Sequence, residues 1–526
     1  MSLLRNNPQS RHTRAATIEP DMRQRLGQLW QTRFAQSDST ETLQQRIAGM
    51  LRRAVLERAV PLDAPLPSTR ELAAELGVAR ATVALAYERL QIEGAIESRE
   101  RRGFFVTASF AQHRAEFHES DQLSLLPPPD WTRHFRSLDV AYRPVKNPTD
   151  WYRYRYPFVY GQIDPKLFPL ADWRDCFERA MKQESVEVWT VDRGDLDDRD
   201  LLEQLRTRVL PRRGVWAAAD EILVTVGAQQ ALYLIGQLLG GSGRRVVVEE
   251  PCYPDVRAIF SMTGAVISSV PVDAEGVNIS RMAALRPDVA VVTPSHHCPT
   301  GVRMSDERRR ALLSQAADKD FLIVEDDYEP QLAGAVGASG VSTQAGATSA
   351  LKSLDMNGRV LYVGSLSKTL APGLRLGYIV APREVIAALR QLRRLMLRHV
   401  ASNNERALAL FLSQGHFESL QRRLGHAYQV RLKMLREALS LHLPDWQIQS
   451  PEGAGSALWI RLPDGVNATT LVAAARDADV VIEPGVGFFG LVPTGEFVRM
   501  GISAIPTHLI GAGVAALAAA AAKQGI

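Results

Sequence analysis

"GSLSKTLAPGLRLGY" (Gly364–Tyr378) carries Lys368, one of only eight lysines among the 62 basic side chains of a 526-residue chain. Arginine supplies positive charge almost everywhere else, so a lysine here points to chemistry that arginine cannot do. A primary amine loses its proton readily when it is desolvated or set beside another cation, and it then becomes a nucleophile. The residues before it, Val360–Ser365, read as a buried β-strand, and Leu376–Val380 reads as the next. Lys368 therefore sits just past a strand end, with Ser365 and Ser367 ahead of it and Arg375 behind.

Working outward, five more apolar runs precede this stretch: Ile222–Val226, Val246–Glu250, Val266–Val270, Val289–Thr293 and Phe321–Glu325. Strands alternating with longer helical segments predict an α/β domain with a mostly parallel central sheet and helices on both faces. Ligands of such sheets collect at the carboxyl ends of the strands. Gly227, Ala228 and Gln229 of TVGAQQALYLIG stand between a strand and a helix, where free backbone N–H groups and the helix dipole suit a phosphate. EEPCYPDV sets Tyr253 just past another strand, and FLIVEDDY ends a buried strand in two acids, Asp326 and Asp327. These parts are complementary to pyridoxal 5'-phosphate. A lysine condenses with its aldehyde, and a carboxylate keeps its pyridine nitrogen protonated. A tyrosine can cover the ring, and serines, an arginine and a helix start can hold the phosphate.

On these motifs the body resembles a class I/II aminotransferase of the fold-type I group. The resemblance implies that Lys368 forms the Schiff base. It further implies that Asp326 pairs with the pyridine nitrogen, Tyr328 reaches the ring's phenolic oxygen and Tyr253 stacks on the ring. Ala228, Gln229, Ser365 and Arg375 then hold the phosphate, and Arg499 of EFVRMGIS grips a substrate carboxylate. Asp327 competes with Asp326, because neighbouring strand residues face opposite ways and only one can point at the ring. One departure stands out. Aminotransferases usually read N-P-x-N-P-T-G where this chain reads T-P-S-H-H-C-P-T-G (Thr293–Gly301), so Cys298 replaces an asparagine that hydrogen-bonds the cofactor. A thiol is a poor donor, which puts efficient turnover in doubt.

The front of the chain is different. Residues 1–107 hold 16 Arg, no Lys and 12 Asp or Glu, so the whole net charge of +4 lies there, which hints at an acidic partner. After a polar arm with Arg5, Arg11 and Arg14, Met22, Leu26, Leu29, Trp30 and Phe34 share a helical face. Leu43, Ile47, Met50, Leu51 and Val55 predict a second helix. Ser68 and Glu71 have capping-box spacing, Gly77 breaks the helix that follows, and a new helix restarts near Arg80. Two strands around Arg101, Arg102 and Gly103 complete the pattern of a helix-turn-helix with a wing. LPS-x-R and LGV-x-R-x-TV-x-x-AY make the stretch resemble the winged helix of the GntR family. That resemblance turns Ser68, Arg70, Arg80, Thr82, Arg102 and Gly103 toward DNA. Ala79 stands where that family often has a capping Ser or Thr, a loss of about 1 kcal/mol.

The predicted organisation is an arm and extra helix (1–37), a winged helix (38–107), a linker (108–155) and the aminotransferase-like body (156–526). Within the linker region, WYRYRYPFVY (151–160) reads as a half-exposed strand. Three scattered cysteines argue against a disulfide framework and fit a reducing cytoplasm. His296 and His297 lack neighbouring ligands in sequence, so no metal is expected, and no apolar run reaches the ~20 residues of a membrane span. A GntR-like head ahead of this body resembles the MocR subfamily of bacterial transcriptional regulators. The resemblance implies a homodimer that binds operator DNA and senses an amine or amino-acid effector, which takes the cofactor from Lys368 while Arg499 holds its acid group. An active aminotransferase with a DNA-binding appendage is the alternative, and a body serving only as a dimerisation scaffold is a third reading.

Overall fold

The structure is a computed structural model that describes residues 20–35, 41–56, 60, 64–107, 130–135, 145, 147–329, 349–453 and 455–523. Arg5, Arg11 and Arg14 of the arm lie outside the described residues, as does most of the 108–144 stretch. The chain divides into two compact units, Met1–Arg136 and Ser137–Ile526.

The first unit holds helices α1 (Pro20–Ala35), α2 (Leu43–Leu56), α3 (Thr69–Leu76) and α4 (Arg80–Ile92), followed by antiparallel strands β1 (Ile96–Arg99) and β2 (Gly103–Val106). Trp30, Ile47, Leu51, Leu72, Val83 and Leu90 meet in one buried core, so every helix contributes its apolar face. At the start of α3 the Ser68 hydroxyl accepts from Glu71 N–H while the Glu71 carboxylate accepts from Ser68 N–H. Gly77 ends α3 in the left-handed region at φ 66°, where a side chain is strained. The Tyr87 hydroxyl donates to the Pro67 carbonyl at 2.6 Å, and its ring meets Phe104 edge-on at 4.7 Å, which ties α4 to both the turn and the wing.

The second unit is built on an eight-stranded sheet. Its strands are β4 (Ile222–Thr225), β5 (Arg245–Glu250), β6 (Val266–Asp273), β7 (Gly276–Val277), β8 (Val289–Val292), β9 (Leu322–Asp327), β10 (Val360–Ser365) and β11 (Gly377–Val380). They run in the order β4-β11-β10-β9-β8-β5-β6-β7. The pairs from β10 through β9, β8 and β5 to β6 are parallel, and β11 is inserted antiparallel between β4 and β10. All seven runs singled out in the sequence are strands of this sheet. Ser365 faces Gly377, Gly377 faces Thr225 and Gly364 faces Asp327, so these strand ends lie along one edge. Helix Gly227–Leu239 begins hard against that edge. A Cβ on Gly377 would come within 2.7 Å of the Gly227 carbonyl carbon, so only glycine lets the helix start approach.

A smaller antiparallel sheet joins β12 (Gln447–Ile448), β13 (Ala457–Arg461), β15 (Glu483–Pro484) and β16 (Phe497–Gly501), while β14 (Val480–Val481) pairs with β3 (Tyr156–Pro157). The run WYRYRYPFVY differs from its sequence reading. It forms a short turn at Trp151–Arg153 and the two residues of β3, because its ladder partner offers only Val480 and Val481. Trp151 and Tyr154 pack instead against Val159, Val481 and Ala504. Among the described residues no helix is long and apolar enough to cross a membrane.

Candidate functional site

A cavity of about 270 Å³ opens at the carboxyl edge of the large sheet. Ala228, Gln229, Tyr253, Asp326, Tyr328, Ser365, Lys368, Arg375 and Arg499 all line it. These nine residues are spread over some 270 positions of chain; the strand ends of the large sheet gather eight of them, and β16 of the smaller sheet brings Arg499. Lys368 follows β10, Asp326 lies at the end of β9, Tyr253 follows β5, Arg375 precedes β11, and Ala228 and Gln229 open the helix after β4.

Lys368 is half-buried, with Nζ 4.7 Å from the centre of the Tyr160 ring. Burial pushes its pKa down first, and the Arg499 guanidinium adds to the effect. Both favour the neutral amine, the form that attacks a carbonyl. Asp326 is a buried carboxyl whose Oδ1 has no hydrogen-bond partner among the described residues. Burial, and then the charge of Asp327, raise its pKa to about 7, against an opposing pull from Lys368. Asp327 faces the other way. Arg213 donates to it at 2.8 and 3.3 Å, and the Tyr362 hydroxyl donates at 2.6 Å. Of the two adjacent acids, Asp326 alone is both open to the cavity and unsatisfied.

The end of the cavity at the helix start is equally defined. Arg375 adopts φ 51° and lays its guanidinium over the helix start, so a Cβ on Gly227 would lie 3.2 Å from its Nη2. Gln229 donates to Asp255 at 2.7 Å, and the Tyr253 hydroxyl lies 2.8 Å from Asp255 and 3.0 Å from the Gln229 carbonyl. Helix-start N–H groups, Arg375 and the Ser365 hydroxyl thus converge on a region suited to a multiply charged anion.

The opposite end holds Arg499. Its guanidinium is buried between the rings of Tyr160, at 4.2 Å, and Phe488, at 4.6 Å. Nε donates to Glu483 Oε2 at 2.6 Å, and Nη1 lies 3.8 Å from Cys298 Sγ. Burial raises the Cys298 thiol to about 11, so it stays neutral. His297 accompanies Thr300 at 2.7 Å and is held neutral, its pKa lowered by burial to about 3. Among the described residues no group of three or more His, Cys, Asp or Glu side chains forms a metal-binding cluster. Sequence reasoning did not single out Tyr160, Asn147 or Glu483, which also line the cavity. A signal for Glu483 existed: an acid inside the apolar strand run VVIEPGVGFF, opposite a buried arginine.

Comparison with known proteins agrees with both units. Residues 169–517 match the class I and II aminotransferases, and residues 43–106 match the bacterial regulatory proteins of the gntR family. Over 489 residues the chain is 40% identical to the HTH-type transcriptional regulator TauR of Rhodobacter capsulatus, spanning 91% of this chain and 96% of that one. This chain belongs to the MocR-type GntR regulators. The probable rhizopine catabolism regulatory protein MocR of Rhizobium meliloti is 28% identical, covering 85% of this chain and 87% of that protein. Kynurenine aminotransferase of Pyrococcus horikoshii superposes with a TM-score of 0.63 at 24% identity, over 79% of this chain and 99% of its own, a likeness of fold.

As a MocR-type regulator, the chain has a helix-turn-helix whose exposed residues can be placed. Arg80 is exposed at the first position of α4, with Nε 3.4 Å from the Thr69 hydroxyl, and Thr82 is half-buried one turn-step on. Ser68 and Arg70 are exposed at the start of α3, and Arg102 and Gly103 are exposed in the wing. The first turn of a recognition helix is where side chains reach base edges in the major groove. The Ser68 hydroxyl is also the helix cap, so it serves the fold whatever else it touches.

Proposed function

We propose that this regulator holds pyridoxal 5'-phosphate in the cavity and converts the arrival of an amine-bearing effector into a change in operator binding. The observation that carries this reading is the buried, unpartnered Asp326 oxygen in the same cavity as the Lys368 amine and the Arg375-capped helix start. A carboxylate without a partner is costly inside a protein, and a protonated ring nitrogen is the partner its position fits. Ala228, Gln229, Ser365 and Arg375 would hold the phosphate, Tyr253 and Tyr328 would flank the ring, and Lys368 would anchor it. When bound, the cofactor supplies an aldehyde that condenses with primary amines and a ring that withdraws electrons. Arg499 then offers a buried cation to the acid group of the effector, while the walls formed by Tyr160 and Phe488 keep water away from that pair.

Ser68, Arg70, Arg80, Thr82, Arg102 and Gly103 would contact DNA, Arg80 through base edges and Arg70 and Arg102 through phosphates. A homodimer, acting in the cytoplasm beside the chromosome, would present two heads to a repeated or palindromic site. An amine changes operator affinity only by binding the two states of the protein unequally. Lys368→Ala tests this directly: operator binding without effector persists, and the response to added amines is lost. Identical responses in the variant and the parent would overturn the reading. Active transamination is the competing reading, favoured by the retained Lys368 and Asp326. Cys298, in place of the usual asparagine, stands against it, and steady-state turnover at ordinary enzyme rates would restore it.

A further inference from the structure

Arg499 is already occupied in the resting chain. Glu483 and Arg499 are cross-strand partners on β15 and β16, and both are buried. Glu483 uses both of its oxygens. Oε2 accepts from Arg499 Nε at 2.6 Å, and Oε1 accepts from Asn147 Nδ2 at 2.7 Å. Asn147 lies 336 residues away in sequence, in the segment that follows the DNA-binding head. Among the described residues its Oδ1 is buried without a hydrogen-bond partner, and the bond to Glu483 is the one that holds this side chain in the cavity wall.

We propose that Glu483 is a resident competitor for Arg499 and that Asn147 passes the outcome of that competition to the segment leading to the DNA-binding head. A guanidinium presents donors along two edges, and a carboxylate binds best to a full edge. Glu483 takes the Nε side, while among the described residues Nη1 donates to the sulfur of Cys298, a weak acceptor, at 3.8 Å. An incoming acid group finds that second side under-used. Once it binds, two carboxylates crowd one cation, and their repulsion weakens the older contact. Glu483 then loosens on Arg499, and Asn147 loses the geometry of its own bond. The effector therefore favours the loosened arrangement, which gives it the differential affinity a switch requires. This rests on the effector reading above for the identity of the incoming group; the tether belongs to the resting chain.

Two arms of one experiment separate these. In the first, hydrogen exchange is followed over residues 147–154 of the full-length, cofactor-free protein. Glu483→Ala and Asn147→Ala are each expected to speed exchange there, and the double variant is expected to add nothing further, since linked residues are non-additive. If Glu483→Ala fails to fold, Glu483→Met, which removes both acceptor oxygens at similar volume, takes its place in the same comparison. Unchanged exchange, or independent effects that simply add, would overturn the tether. In the second arm the cofactor-loaded protein is titrated with glycine, β-alanine and 2-aminoethanesulfonate, read by visible absorbance and by operator affinity. In Asn147→Ala the absorbance change still saturates, but the change in operator affinity falls at least fivefold, within the roughly 5–150-fold span of such couplings. A full operator response in that variant would overturn the role of Asn147. A series that leaves the absorbance of the parent flat removes the effector reading and not the tether, which the first arm decides alone.

Discussion

A carboxyl oxygen of Asp326 lies buried in the cavity wall without a partner among the described residues, and this adds one pH-dependent contribution to the stability of the cofactor-free protein, beside those of the buried Glu249 and Glu325. Its pKa is about 7 in the fold against 3.8 in a free aspartate, so the fold prefers the neutral carboxyl. The stabilising contribution is complete below about pH 4 and is lost as the pH rises through about 7. Melting temperature of the cofactor-free protein should fall across that window, and Asp326→Asn, which cannot ionise, should fall less; equal slopes in calorimetry would contradict the assignment. The same variant is expected to weaken cofactor binding roughly tenfold to a hundredfold, the ~1.5–3 kcal/mol of a hydrogen bond to a charged group. In the head, Arg80→Ala should cost about 1–3 kcal/mol of operator affinity and relax base preference at one position. Gel shifts on a set of single-base operator variants check this, and an unchanged preference would remove Arg80 from base contact. Lys368 was legible because lysine is rare in this chain and follows a strand end, and the Asp326–Asp327 pair because two acids close a buried apolar run. Which of Asp326 and Asp327 faces the cavity was not, since the choice is made by Arg213 and Tyr362, which come from distant parts of the chain.

Helix caps show where local sequence is sufficient. Ser68 and Glu71 form the capping box that their spacing predicts, and Ala79 caps α4 with no side-chain hydrogen bond. Ala79 has extended backbone (φ −65°, ψ 139°) suited to a capping serine. Ala79→Ser should therefore stabilise the head by about 1 kcal/mol, and Ser68→Ala should destabilise it by a similar amount. Calorimetry of the full chain checks both, and a stability change of the opposite sign in either would contradict the caps. Seven strands were likewise legible, because buried parallel strands read as continuous apolar runs. The stretch from Trp151 to Tyr160 was not. Its conformation is fixed by pairing with Val480 and Val481 and by packing on Val481 and Ala504, none of which a local pattern reports. The antiparallel insertion of β11 between β4 and β10 is likewise a property of the assembled sheet.

In the whole molecule a GntR-type helix-turn-helix head precedes a body whose cavity is built at the carboxyl edge of a mostly parallel sheet. That edge brings together Lys368, Asp326 and the helix start at Gly227, and the smaller sheet adds Arg499 and Glu483. The chain thus keeps the aminotransferase fold while its relatives are named as regulators. The proposed function requires a cofactor covalently attached at Lys368. Load the full-length protein with pyridoxal 5'-phosphate, reduce it with borohydride, digest it and weigh the peptides. A pyridoxyl mass on the peptide containing Lys368, absent from Lys368→Ala, is the predicted result. A Lys368 peptide of unmodified mass in the fully loaded and reduced protein would contradict it.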